Sequence, residues 1–459
     1  MSRSLTSSSP RPVVSAPAFL SLVSDWGLAE FFVVSQTAIP ALLFLPGTQR
    51  IRLYVRVASF AISMALLAWW AFGDAKAGRK HPSQPWLVAS ILYIAVMVLH
   101  PFTSSALGGL AQLVLYVAVM APLFWTPSLV RNADHLAKLM TLLLVCNGFN
   151  AFVGVMQVYD PGRWMPQEMS HIVTESAFGL GAVTYRGPNG SLIVRPPGLF
   201  DNPGAVAGPA MYAALLGLVF ATSASKWWKR GIALIGSGAG VAAIYLSQVR
   251  VSLVVLALML AAYAGLLMLQ QRKQRAFIFG AAAGVMVVGA FALALGLGGQ
   301  SIAERTFTLF AQDPVSLYSA SRGGQLTYSF NDLMTSYPLG AGLGRWGMIS
   351  GYFGGGDQPG LWAEIQIAGW AIDGGIPLVV LGIAAPVVAL ATLVKVALFD
   401  RDAKVRACAS IALAANLGTA ALIFSFTPFV TQIGLQFWFL AGAVSGIAST
   451  PQPRPRAVR

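Results

Sequence analysis

Apolar residues fill most of the chain in long runs, and short polar segments that carry most of the charge separate these runs. A helix that crosses a bilayer needs about 20 mostly apolar residues. The runs that approach this length lie near residues 30–46, 55–73, 86–100, 106–125, 138–158, 204–222, 231–248, 251–269, 276–296, 366–394, 407–425 and 428–447. The pattern therefore predicts an all-α fold, a polytopic membrane protein with about twelve transmembrane helices.

The composition supports a membrane protein, since 56% of the residues are hydrophobic and only 10% are charged, against about 25% charged residues in soluble domains. The net charge of +14 does not indicate nucleic-acid binding, because the basic residues form short clusters between apolar runs instead of one patch. Such clusters mark the cytoplasmic side of a membrane protein. Arg50, Arg52 and Arg56 disagree with this orientation, so either the first span is misplaced or these arginines have a function.

The spans predict one transmembrane domain over residues 30–450, with cytoplasmic tails at 1–29 and 451–459. Two long connections, at about 159–203 and 297–365, fall on the outer side, and we expect short interfacial helices within them. Loops of this length usually carry function. No group of His, Asp or Glu has the spacing of metal ligands, so no metal or other cofactor is expected.

Arg250 is the first candidate, because it separates two apolar runs that almost no loop connects. An ionisable residue at membrane depth is a candidate for function, although snorkelling to the headgroups explains it equally well. A second candidate is the run from Arg195 to Gly204, which contains three prolines and two glycines. Asp201 or Asn202 could cap the following helix, but capping does not account for Arg195.

The second outer loop contains Arg322 and Arg345 on either side of several glycines, which could allow close approach to an anion. These glycines do not form a P-loop, since no Gly-Lys-Ser/Thr follows them. Glu364 lies at the outer start of the tenth span, where it could cap the helix or act as a base. A carboxylate at an apolar interface tends towards a raised pKa, which suits proton transfer.

These segments resemble motifs of the O-antigen ligase and O-antigen polymerase superfamily of membrane glycosyltransferases. Arg195 to Pro203, Ser247 to Arg250 and Arg322 to Gly344 match the family's pattern in order and spacing, and the resemblance covers roughly residues 190 to 380. Ligases of this type typically have His-Asn where this chain has Glu364-Ile365. The departure favours a polymerase over a ligase.

The resemblance implies transfer of a polyprenyl-pyrophosphate-linked oligosaccharide to an acceptor hydroxyl, on the outer side of a bacterial inner membrane. We assign Arg250 and Arg322 to the pyrophosphate and Glu364 to the base, in a direct inverting reaction without a metal. The weaker candidates for substrate binding are Arg195, Arg345, His171, Asp201 and Asn202. The lipid bilayer, the lipid-linked saccharide and other glycan-assembly proteins are the expected partners, and nucleic acid is not. A transporter or flippase, or another membrane transferase, is the alternative.

Overall fold

The computed structural model describes residues 26–45, 47–73, 80–167, 169, 180–311, 313–353 and 360–448. Each apolar run of the sequence overlaps a helix. In chain order these helices are α1 (Leu28–Phe44), α2 (Arg52–Phe72), α3 (Gln84–Met97), α4 (Ala106–Leu129), α5 (Ala133–Tyr159), α6 (Ala207–Ser223), α7 (Trp227–Ser247), α8 (Arg250–Leu269), α9 (Lys273–Gly298), α10 (Gln366–Phe399), α11 (Ala403–Phe424) and α12 (Gln432–Ile447).

Eight of the helices are long and apolar enough to cross a membrane, namely α2, α4, α5, α7, α8, α9, α10 and α11. The other four are apolar but only 10–17 residues long. The structure thus confirms a predominantly helical protein with membrane-length helices. A total of twelve spans stays a prediction.

The connection between α5 and α6 contains an exception to the all-α prediction. Strand β1 (Thr184–Arg186) pairs antiparallel with β2 (Leu192–Val194), and Tyr185 lies opposite Ile193. The connection between α9 and α10 contains the longer helix Gln300–Ala311. Further short helices of the two connections are Pro161–Trp164, Pro314–Tyr318, Gly324–Tyr328, Met334–Ser336 and Gly347–Phe353.

We call the end of the bundle that carries these two connections the loop end. At the opposite end, Glu30 in the first turn of α1 is 2% exposed and accepts from His135 and Lys138 at the start of α5, both at 3.1 Å. The start of α2 lies at the loop end, where Arg52 and Arg56 pair with Asp201. Helix α1 therefore runs towards the loop end, and Arg52 and Arg56, two of the three exceptional arginines, have a partner.

Helix α10 is broken after its second turn, at Gly374 and Gly375. Gly375 has a φ of +59°, and a Cβ there would lie 2.2 Å from the carbonyl oxygen of Pro338. The loop chain fills the break, since the amide of Ala341 donates to Ile372 O at 2.7 Å and that of Ile376 donates to Pro338 O at 2.9 Å.

The glycines of this loop serve the same packing. Gly340, Gly342 and Gly344 all have positive φ. A Cβ on Gly340 would lie 2.7 Å from Gly374, and one on Gly342 would lie 2.4 Å from the backbone of Phe102. These glycines allow close approach to the protein's own backbone, so the structure gives no support to the expectation that they approach an anion.

Asp373 lies directly before the break and is completely buried. Its Oδ2 accepts from Tyr116 at 2.7 Å, from Trp346 at 2.9 Å and from Gln112 at 3.1 Å. One carboxylate therefore ties α10 to α4 and to the loop between α9 and α10.

We expect Asp373→Ala to destabilise the protein by about 3 kcal/mol, because it leaves buried donors without an acceptor. Thermal unfolding of the full-length protein in detergent measures the change. Asp332→Ala, at an exposed carboxylate of the same loop, is the control and should unfold like the wild type. An Asp373→Ala variant as stable as this control would show that the three hydrogen bonds do not hold the loop.

Candidate functional site

Arg195, Arg250 and Arg305 come together at the loop end, and we call them the arginine cluster. Arg195 directly follows strand β2, and its amide donates to Val183 O at 2.9 Å. Arg250 begins α8 after a reversal of the chain at Gln248, which has a φ of +54°. The third member was not among the predicted site residues.

Helix Gln300–Ala311 packs over this reversal and contributes Arg305. The Arg305 Nε donates to the carbonyl oxygen of Gln248 at 3.0 Å, and the Arg250 Nη1 donates to Thr308 Oγ1 at 2.9 Å. Arg305 and Thr308 are three residues apart, so they lie on one face of the helix. This face carries polar groups towards the start of α8.

The three guanidinium groups are close enough to affect one another. Burial lowers the pKa of Arg195, and the positive charge of Arg250 lowers it further. Burial, followed by the charges of Arg195 and Arg250, lowers the pKa of Arg305 to about 10. Within the described ranges, no carboxylate forms an ion pair with any of the three, and the buried Nε of Arg195 has no hydrogen-bond partner. Among the described residues, the cluster therefore carries positive charge without a carboxylate partner.

Arg322 and Glu364, two of the three residues predicted to be catalytic, form an ion pair with each other. Their side chains are 38% and 36% exposed, and burial lowers the pKa of Arg322. The amide of Glu364 donates to Gln325 Oε1 at 2.8 Å. Glu364 does not cap α10, since Ile365 holds the cap position and no side chain accepts there. Its carboxylate is instead held beside a cation and open to solvent.

Asp201 is 3% exposed and lies between two arginines of α2. The Arg52 Nε is 3.1 Å from Asp201 Oδ2, and Arg56 forms an ion pair with Oδ1. Arg56 also donates to the hydroxyl of Tyr352 at 3.1 Å, which joins this group to the connection between α9 and α10. The ion pair and the contact of Arg56 with Tyr352 therefore tie α2 to both connections of the loop end.

The prediction that Asp201 or Asn202 caps the following helix is wrong. Helix α6 begins only at Ala207, and its cap residue Val206 has no side-chain hydrogen bond. Asn202 is half-buried, and its carbonyl oxygen accepts from Ala205 N at 3.1 Å in the turn before the helix. The residues between Asn202 and Ala207 separate both candidates from the free amides of the first turn.

The remaining predicted residues lie outside these groups. Arg345 is 4% exposed, and its Nη1 donates to Ala341 O at 2.9 Å while its carbonyl oxygen accepts from Leu361 N at 2.6 Å. These contacts give it a role in holding the loop, and substrate binding by Arg345 stays a prediction. His171 lies outside the described residues.

The sequence contains signals for the arginines that were not assigned to the site, and the first of them had already made Arg52 and Arg56 exceptional. Arg52 and Arg56 are four residues apart, on one helix face, and they violate the positive-inside pattern. Arg305 lies in a segment whose polar residues recur at helical spacing, Gln300, Glu304 and Thr308 among them. The first signal indicates arginines away from the cytoplasm, and the second indicates a helix with a polar face in the second connection.

Comparison of the sequence with models of known protein families found no match, and comparison with characterised proteins found none either. Within the ranges that the structure describes, no group of three or more His, Cys, Asp or Glu residues is placed to hold a metal ion. The function must therefore be argued from the geometry of the loop end.

We expect Asp201→Asn to destabilise the protein by about 3 kcal/mol, since it removes the charge of the buried carboxylate that pairs with Arg52 and Arg56. The change is measured as a fall of Tm in detergent, with Asp332→Asn as an exposed control. The double variant Arg56→Gln/Asp201→Asn should recover part of the loss. Equal stability of Asp201→Asn and the wild type would contradict the pairing.

Proposed function

We propose that the protein transfers an oligosaccharide from a polyprenyl pyrophosphate carrier to an acceptor hydroxyl, on the outer side of a bacterial cytoplasmic membrane. A polysaccharide polymerase is favoured over an O-antigen ligase. The observation that carries the proposal is the arginine cluster without a carboxylate partner among the described residues. Its location at the loop end of a bundle of membrane-length helices adds to that support.

Three neighbouring cations repel one another, and burial increases the cost of their charge. A ligand with several negative charges on adjacent groups relieves this repulsion best. Pyrophosphate is such a ligand, and guanidinium groups bind phosphate oxygens through paired N–H donors. The cluster is thus suited to hold a pyrophosphate group and to stabilise the charge that develops on it as it leaves.

The depth of the cluster favours a lipid-linked anion over a soluble one. Arg250 is the first residue of α8, and the next nineteen residues of that helix contain no charge. A polyprenyl chain that remains in the bilayer places its pyrophosphate at the helix ends. Arg250 would then contact the phosphate at the boundary between the apolar and polar regions.

In the proposed reaction, the acceptor hydroxyl oxygen attacks the anomeric carbon of the carried sugar. The bond from that carbon to the pyrophosphate oxygen breaks, and its electron pair leaves with the polyprenyl pyrophosphate. Glu364 takes the proton of the acceptor. Arg322 orients this carboxylate and has further N–H donors, with which it contacts the pyrophosphate oxygens. Attack opposite to the leaving group inverts the anomeric centre.

A glutamate base also supports the choice between the two members of the superfamily. The resemblance expects His-Asn at the start of the tenth helix of a ligase, and this chain has Glu364 there, ion-paired and partly exposed. A transporter or flippase for a lipid-linked glycan would use the arginine cluster equally well. It would not need a base at Glu364, so this residue separates the two functions.

We expect inorganic pyrophosphate to raise the Tm of the full-length protein in detergent. Arg195→Gln should weaken this effect by at least tenfold in pyrophosphate concentration, because one charge-assisted contact contributes about 1.5–3 kcal/mol. Without pyrophosphate the variant should be no less stable than the wild type, since it loses a buried donor without a partner. Arg163→Gln, at an exposed arginine of the same connection, is the control. The same response in Arg195→Gln and the wild type would remove Arg195 from the anion site.

We expect Glu364→Gln and Arg322→Ala to abolish long surface glycan while the protein is still produced and inserted. Gels of surface glycan and mass spectrometry of lipid-linked intermediates compare these variants with the wild type and with cells lacking the protein. Loss of long chains with single repeats still at the surface indicates a polymerase, whereas long chains retained on the carrier indicate a ligase.

The same experiment decides between transfer and transport. Precursors trapped on the cytoplasmic face of the membrane, or unchanged glycan in cells lacking the protein, would contradict the transferase proposal. If Glu364→Gln is fully active while Arg322→Ala is inactive, Glu364 is not the base. The assignment of Arg322 to the pyrophosphate would then still stand. Asp332→Asn serves again as the control for expression and insertion.

A further inference from the structure

A cavity of about 350 Å³ lies at the end of the bundle opposite the arginine cluster, between α5, α6, α8, α9 and α11. Its mouth is formed by residues at the ends of these helices. Arg272 joins α8 to α9, Arg275 lies in the first turn of α9, and Lys404 lies in the first turn of α11. This cavity shares no residue with the groups described at the loop end.

The polarity of the cavity changes with depth. Ile278 lies on α9 about 4.5 Å deeper than Arg275, and Ile411 lies on α11 about 10 Å deeper than Lys404, given a rise of 1.5 Å per residue. On α6 the apolar Val219 lies one turn deeper than Ser223, and all these residues line the cavity. The cavity is therefore cationic at the helix ends and apolar towards the middle of the bundle.

The charge at the mouth is only partly compensated. Lys404 Nζ donates to both carboxylate oxygens of Asp134, at 2.9 and 3.1 Å. Neither Arg272 nor Arg275 forms an ion pair within the part of the chain that the structure describes. The guanidinium groups of Arg272 and Arg275 are thus available to bind an anion at the mouth, and the deeper part of the cavity is apolar.

We propose that this cavity binds an anionic phospholipid, with its phosphate group on Arg272 and Arg275 and an acyl chain along Ile278, Ile411 and Val219. A soluble phosphate would use the mouth and leave the apolar floor without a partner. A zwitterionic lipid would bring a cation towards two arginines. The graded polarity of the cavity and its two available guanidinium groups fit the anionic lipid best.

The location of the cavity gives this lipid a structural consequence. In an apolar stretch of 18 residues of α9, only 22% of the residues are buried in the protein, whereas 67% are buried in the corresponding stretch of α11. A lipid between α9 and α11 adds contacts to the helix that has few. The basic clusters at this end are expected to face the cytoplasm, where anionic lipids attract arginine and lysine. The inference is independent of the proposed transfer reaction.

The test compares the full-length protein in nanodiscs of phosphatidylcholine with and without a minor fraction of phosphatidylglycerol. Native mass spectrometry of the released protein counts retained lipids, and thermal unfolding gives Tm. We expect the wild type to retain phosphatidylglycerol in preference to phosphatidylcholine and to gain stability from it. Arg272→Gln/Arg275→Gln should lose about tenfold of this preference, the equivalent of one good charged contact.

Lys226→Gln/Lys229→Gln is the matched control, because it removes two charges at the same end outside the cavity. This control should keep the preference, and so should Arg272→Lys/Arg275→Lys, which keeps both charges and guards against a folding defect. An equal loss in the control, or equal retention of the two lipids by the wild type, would overturn the proposal. So would a rise in Tm with inorganic phosphate that phosphatidylglycerol fails to produce.

Discussion

The ion pair of Asp201 with Arg52 and Arg56 joins α2 to the connection between α5 and α6, and it neutralises two of the arginines at the loop end. A charge at the ends of apolar helices is costly unless a partner compensates it. Asp201 is buried between two arginines, and Asp373 accepts three hydrogen bonds. Asp201 and Glu364, two described carboxylates of the loop end, are thus paired with arginines outside the cluster. Among the described residues the arginine cluster has no ion-pair partner, and an external anion would neutralise it.

Hydrogen bonds and an ion pair hold the first two turns of α10, the segment that begins next to the proposed base Glu364. Glu364 precedes by nine residues the carboxylate of Asp373, which is bound to α4 and to the loop. The first two turns of α10 are thus fixed at their inner end by Asp373 and by the loop chain in the break after it. At their outer end Glu364 is held by Arg322 and Gln325. Catalytic groups act best when the fold positions them before the substrate binds, and here both ends of one short helical segment are held.

The sequence predicts the helices well because membrane-length apolar runs are a local signal that tertiary packing rarely overrides. It also identifies Arg250 and Glu364, since one separates two such runs and the other borders one, and Arg322, which opens a segment that contains several glycines. It fails where a local rule competes with a distant partner. A carboxylate before a helix usually caps it, but Asp201 instead pairs with arginines about 145 residues earlier in the chain. Arg305 was missed for the same reason, because only the packing of its helix over the start of α8 brings it to the cluster.

The two ends of the molecule hold their cations in different surroundings, and this difference separates the two proposed sites physically. At the opposite end, Lys404 is 68% exposed and its pair with Asp134 lies in solvent, where salt screens charges over about 8 Å. At the loop end, burial dominates the lowered pKa values of Arg195 and Arg305. Partly buried charges are screened much less, so the arginine cluster retains its attraction for an anion at an ionic strength that weakens the exposed one. Burial thus favours tighter binding of an anion at the arginine cluster than beside the exposed cations of the opposite end.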